Sequence, residues 1–222
     1  MRFKDKLHLI LGFSAGAVIG VAFFDLLPEA IGLGSGSYDV GLVTSISALG
    51  FVVYMILDRF IFFHSHCDPE RGECSQNRRG LLGAGSLSVH SLIDGMAIGL
   101  SFQVSVAVGI VVAIAVLVHD FSDGINTVSM ILKNSGTRRQ AFKWLLVDAT
   151  APVVGVASTL FFSVSESTLG LILAVFTGFF LYIGASDLLP ESHHHDHSTM
   201  WTTVSTVLGI AVLYGAIHLA GI

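Results

Sequence analysis

Seven stretches of mostly apolar residues divide this chain of 222 residues, each close to the roughly 20 residues a helix needs to cross a lipid bilayer. They cover residues 7–27, 40–63, 81–102, 104–132, 144–162, 169–189 and 200–220. Seven such helices take up about 147 residues, which leaves little for a domain outside the membrane. Only 12% of the residues are charged and 53% are hydrophobic, against about 25% charged in an average soluble domain. Mean hydropathy is +0.77. So little charge cannot cover the surface of a soluble domain, and so much apolar side chain excludes disorder. Cys67 and Cys74 alone make no disulfide scaffold. The expected fold is all-α: a single polytopic membrane domain of seven helices, in the cell membrane.

The eleven Lys and Arg residues set the expected orientation. Arg2, Lys4 and Lys6 precede the first helix. Arg59, Arg71, Arg78 and Arg79 lie at or between the second and third. Lys133, Arg138, Arg139 and Lys143 lie between the fourth and fifth. With seven crossings all of them fall on one side, which the positive-inside rule makes the cytoplasm. The N-terminus is then cytoplasmic and the C-terminus outside. A cleaved signal peptide is the other reading of the first segment. Its apolar run is too long for that and lacks a clear small-residue cleavage site before Asp25.

Small residues punctuate the helices. Gly12, Gly16 and Gly20 line one face of the first, and Gly83, Gly95 and Gly99 can do the same on the third. Such faces let helix backbones approach closely, within the bundle or between two copies of the chain. One pentapeptide occurs twice: Asp25-Leu26-Leu27-Pro28-Glu29 ends the first helix and Asp187-Leu188-Leu189-Pro190-Glu191 ends the sixth. These helices run in opposite directions, so the echo reads as the trace of an inverted repeat, a transporter feature. Chance or a shared helix-stop signal with Pro are the alternatives.

Ionisable groups deep in membrane helices are costly and usually functional. Here they cluster. The third helix carries His90-Ser91-Leu92-Ile93-Asp94-Gly95 and the fourth His119-Asp120-Phe121-Ser122-Asp123-Gly124. In each, a His is followed four residues later by an Asp, on the same helical face. Two imidazoles and three carboxylates gather, with Ser91 and Asn126 nearby. The carboxylates repel in a low dielectric unless protons or a cation neutralise them, and no Lys or Arg lies deep enough to help. A divalent ion bound by nitrogen and oxygen answers this: Zn²⁺, Fe²⁺, Mn²⁺ or Cd²⁺ rather than Mg²⁺ or Ca²⁺ alone. A metal-free proton relay or a plain hydrogen-bond network are the alternatives.

These motifs resemble those of the Zrt/Irt-like (ZIP) metal transporters. In that family two central helices carry His-Asn-x-x-(Asp/Glu)-Gly and (His/Gln)-(Asp/Glu)-x-x-(His/Glu). His90, Asp94 and Gly95 fit the first; His119, Asp120 and Asp123 fit the second. Leu27-Pro28-Glu29-Ala30, the segment 176–182 and Asp187–Glu191 are similar to further family features. The chain departs from the family in three ways. Seven helices are expected where the family usually has eight, the family's first being the one without an expected counterpart. Ser91 replaces the common Asn, and Ala151-Pro152 replaces a frequent Glu-Pro. The resemblance implies a metal position formed by His90, Asp94, His119 and Asp123. A second would share Asp94 and Asp123 with Asp120, and with Ser91 or Asp148.

The implied function is movement of a divalent transition metal, zinc first, into the cytoplasm. It involves no enzymatic step. Expected partners are the metal, the lipid bilayer and, from the glycine faces, a second copy of the chain; no nucleic acid is expected. Asp25 and Asp187 read as guards of a cation path or as helix ends. His64, His66, Cys67 and Cys74 in the loop 64–80, and the tract His193, His194, His195 and His197, are candidate metal collectors on the cytoplasmic side. The rival functions are an intramembrane zinc hydrolase and a metal sensor that does not transport.

Overall fold

The computed structural model describes residues 3–65, 76–192 and 199–220. Among these no residue is in a strand. Among the described residues, seven helical segments are long and apolar enough to cross a membrane: His8–Gly34, Val40–Arg59, Gly80–Val104, Val106–Lys133, Arg138–Phe161, Glu166–Ser186 and Met200–Leu219. Large apolar side chains stay exposed along them; Leu49, Val153 and Val207 are each more than half exposed. Water would not tolerate so continuous an apolar surface, but lipid does.

In chain order the helices are α1 Phe3–Val21, α2 Leu27–Gly34, α3 Val40–Ser65, α4 Gln76–Val104, α5 Val106–Lys133, α6 Arg138–Ser158, α7 Glu166–Tyr182, α8 Leu189–Ser192 and α9 Thr199–Ala220. A π-helical turn, Ala22–Leu26, joins α1 to α2, and a second, Ile183–Leu188, joins α7 to α8. Some ends differ from the apolar runs. Helix α6 starts at Arg138, six residues before the run, because Thr137 and Gln140 form a reciprocal cap. The Thr137 hydroxyl accepts from Gln140 N–H at 3.2 Å, and Thr137 N–H donates to the Gln140 side chain at 2.8 Å. The first membrane helix does not stop at Pro28 but continues to Gly34.

The π-turns explain that continuation. Pro28 and Pro190 have no N–H, and each ring crowds the carbonyl four residues back. In both places the residue before the proline donates to a carbonyl five residues back, Leu27 to Ala22 and Leu189 to Gly184. One wide turn absorbs the proline and the helix resumes. The repeated pentapeptide thus has the same local backbone at both sites.

The chain packs as two compact units. The first comprises Met1–Tyr54, Leu100–His119 and Ser163–Ile222; the second comprises Met55–Gly99 and Asp120–Phe162. In the first, Gly12, Gly16 and Gly20 all face α9. A Cβ at Gly16 would strike the Thr206 carbonyl oxygen, and one at Gly209 would strike that of Phe13. Helices α3 and α7 meet in the same way, through Gly50 against Val175 and Gly178 against Ser47. In the second unit Gly95 lies on the Pro152 carbonyl and Gly155 on that of Leu92, so α4 and α6 touch backbone to backbone. Gly83 instead faces Met130 on α5. These glycine faces are therefore occupied by internal helix pairs. Contacts rise together along α1 and α9 and along α4 and α6, so each pair is parallel, whereas α5 runs against α4.

Candidate metal centre

The second unit holds three of the expected ligands together. Asp94 follows His90 by one turn of α4, and the His90 Nε2 atom is 3.2 Å from the Asp94 Oδ2 atom. Antiparallel α5 brings Asp123 to the same nitrogen at 3.4 Å. All three are buried: His90 is 8% exposed, Asp94 2% and Asp123 4%. Donors about 2.1 Å from a tetrahedral zinc ion lie about 3.4 Å from one another. Each of the two carboxylates thus lies at a donor-to-donor distance from His90 that one ion could span.

Helix α5 adds its own group. Along it, His119, Asp120 and Asp123 offer ligand atoms within 4.8 Å of one another. His119 is fully buried and its Nδ1 lies 3.0 Å from the Ala115 carbonyl oxygen, one turn back. A carbonyl only accepts, so this contact calls for the Nδ1–H form of the ring. Phe180 packs edge-on against the ring at 6.0 Å.

Ser91 and Asp148 are brought together differently from a simple pair of ligands. The Ser91 hydroxyl lies 3.0 Å from Asp148 Oδ1 and 3.0 Å from the Leu87 carbonyl. Thr127 donates to Asp148 Oδ2 at 3.1 Å. One buried carboxylate on α6 thus ties hydroxyls from α4 and α5. Thr127 was absent from the sequence-derived set, although its place four residues after Asp123 on the same helical face was a legible signal. Replacing Asp148 by Ala strands the buried Thr127 hydroxyl, leaves Ser91 only the Leu87 carbonyl, and is expected to cost about 1–3 kcal/mol. A fall in the melting temperature of the detergent-solubilised protein measures this; no fall contradicts the tie.

Other candidates lie elsewhere. Asp25 is buried in the first π-turn, within the other unit. The side chains of Asp187 and His64, and residues His66, Cys67, Cys74, His193, His194, His195 and His197, are outside the described residues.

Comparison with known proteins now decides the family. The sequence model of the ZIP zinc transporters matches residues 64–222. The chain belongs to the ZIP family. Zinc transporter YKE4 of Saccharomyces cerevisiae is 26% identical over 221 residues, covering 87% of this chain and 63% of the yeast protein. Human zinc transporter ZIP4 is 34% identical over 103 residues, 46% of this chain and 16% of the human protein. Zinc transporter ZIP9-A of Xenopus laevis is 25% identical over 239 residues, 88% of this chain and 78% of the frog protein. This ZIP chain therefore spans less than two thirds of the yeast relative and a smaller part of the human one. The ZIP match includes both His-x-x-x-Asp motifs and the α6 carboxylate.

Proposed function

We propose that this ZIP chain moves a divalent transition metal, zinc first, across a membrane through a buried His/Asp site. The observation that carries the reading is the convergence of Asp94 and Asp123 on His90 at ligand spacing, inside a lipid-length bundle. Relatives named zinc transporters supply the choice of zinc; Fe²⁺, Mn²⁺ and Cd²⁺ suit the same donors. His90, Asp94, Asp123 and His119 are the assigned ligands. His119 is included because it lies one turn before Asp123 on α5, within 4.8 Å of it as a ligand group. Asp120 is assigned to a second, weaker position shared with Asp94 and Asp123. Ser91 and Asp148 support that position through their hydrogen bond.

The absence of thiolate from these donors suits an ion that must leave again. The basic loops support a cytoplasmic N-terminus, and the likeness to the family supports the inward direction. The family is one of transporters, so the reading includes no enzymatic step. The glycine faces pack within the units, and no homodimer is proposed on their account.

Radiotracer zinc uptake into proteoliposomes tests the proposal. Saturable uptake above protein-free vesicles is expected, and the order in which unlabelled Fe²⁺, Mn²⁺ and Cd²⁺ suppress it ranks the metals. Folded protein that binds zinc yet never moves it would leave the sensor reading in its place. Ligands bind metal only when deprotonated, so acid should weaken binding.

A further inference from the structure

The first π-turn holds a charged residue that the metal centre does not use. Asp25 is 1% exposed, and neither carboxylate oxygen has a hydrogen-bond partner. Its inward-facing neighbours along the helix, Val21, Ala22, Leu26 and Ala30, are all fully buried and apolar. Phe23 and Phe24 point outward.

The turn packs against α1, α2, α7 and α9. Among the described side chains, the titratable groups on these helices are His8, Glu29, Glu166, Tyr182, Tyr214 and His218. None makes a hydrogen bond to Asp25. Glu29, one turn on, has the same sign of charge and cannot neutralise it. His8 is about 25 Å away along the helix at 1.5 Å per residue, and Lys4, Asp5 and Lys6 are farther. Glu166 opens α7 beyond the contact of Gly170 with Ala30 and Gly34. Tyr182 lies against the rings of Phe51 and Tyr54. Tyr214 contacts the outward Phe24, and His218 stacks on Tyr214.

A bare carboxylate among apolar side chains is too costly to persist; it takes a cation or a proton. A transition-metal ion needs three or four donors, and Asp25 offers one carboxylate. A proton needs a single oxygen. The π-turn also supplies a means of exchange, since its wide hydrogen bonds and Pro28 leave few bonds to break before water enters.

We infer that Asp25 carries an exchangeable proton, and that passage of metal through this chain is linked to its release. In the step, the carboxyl O–H bond breaks and the proton goes to water on one side of the membrane. The carboxylate later recovers a proton from water on the other side. The first half stands on the geometry of Asp25 alone; the linkage rests on the transport reading.

Two measurements on the full chain keep these halves apart. Infrared spectroscopy of the reconstituted protein at neutral pH should display the C=O stretch of a protonated carboxyl that Asp25→Asn removes. An identical band in the variant overturns the proton site. In zinc-driven proteoliposomes loaded with a pH dye, wild type should move protons with zinc. Asp25→Asn should lose that proton signal at least tenfold while still binding zinc in detergent. Proton movement equal to wild type overturns the linkage. If wild type takes up no zinc, the transport reading fails and the linkage with it, while the infrared band still decides the proton site. Should Asp25→Asn fail to fold, Asp25→Leu, apolar like its neighbours, replaces it in both measurements.

Discussion

Replacing Asp94 and Asp123 together by Ala is expected to reduce zinc uptake to the level of protein-free vesicles. The variant removes both carboxylates that face the His90 Nε2 atom, and the single Asp120 carboxylate left with the imidazoles cannot neutralise a divalent ion at that depth. Each single replacement should weaken zinc binding at least about tenfold, or about 1.4 kcal/mol. Unfolding would give the same loss of uptake, and melting temperature separates the two causes. Without metal both carboxylates are partners of the buried His90 imidazole, so the metal-free variant should melt somewhat lower than metal-free wild type, and the response to zinc carries the distinction. Zinc should raise the melting temperature of wild type, because it binds only the folded chain, and should leave that of the double variant unchanged. Saturable uptake surviving in a well-folded double variant would remove the site from the mechanism.

The second large effect is expected from a residue that binds nothing. Gly95→Leu places a side chain where the Pro152 carbonyl already lies, on a helix pair whose backbones touch. A flexible side chain could give way, but a backbone carbonyl cannot. The cost should reach or exceed the top of the usual overpacking range, about 3 kcal/mol. Asp94 is the adjacent residue, so separating α4 from α6 also displaces a proposed metal ligand. The variant should therefore melt lower than wild type and bind zinc poorly. Gly32→Ala is the control, since nothing lies within 4 Å of a Cβ there. Equal melting of Gly95→Leu and wild type would mean that α4 and α6 do not meet as described.

Much of this was legible in the sequence because lipid imposes simple rules. A helix in a bilayer must bond its own backbone and show apolar side chains outward, so length and hydropathy alone mark out the seven segments. The His-x-x-x-Asp spacings of His90 with Asp94 and of His119 with Asp123 were readable for a similar reason: helical periodicity fixes which residues share a face. The chain's own residues therefore determined the all-helical class, the segment count and the two halves of the candidate site.

Only tertiary structure decided how those halves are used. Periodicity puts Asp94 and Asp123 on faces of their helices, but the antiparallel approach of α5 to α4 brings both to one nitrogen. It also makes Asp148 the acceptor for Ser91 and Thr127, a role that depends on three helices at once. The prolines misled in one respect. Pro28 reads as a stop, yet a π-turn carries the helix to Gly34, because one five-residue hydrogen bond accommodates the missing N–H. That same turn buries Asp25 without a partner. Local rules specify a residue's helix and face; which groups meet it across space depends on packing between segments far apart in the chain.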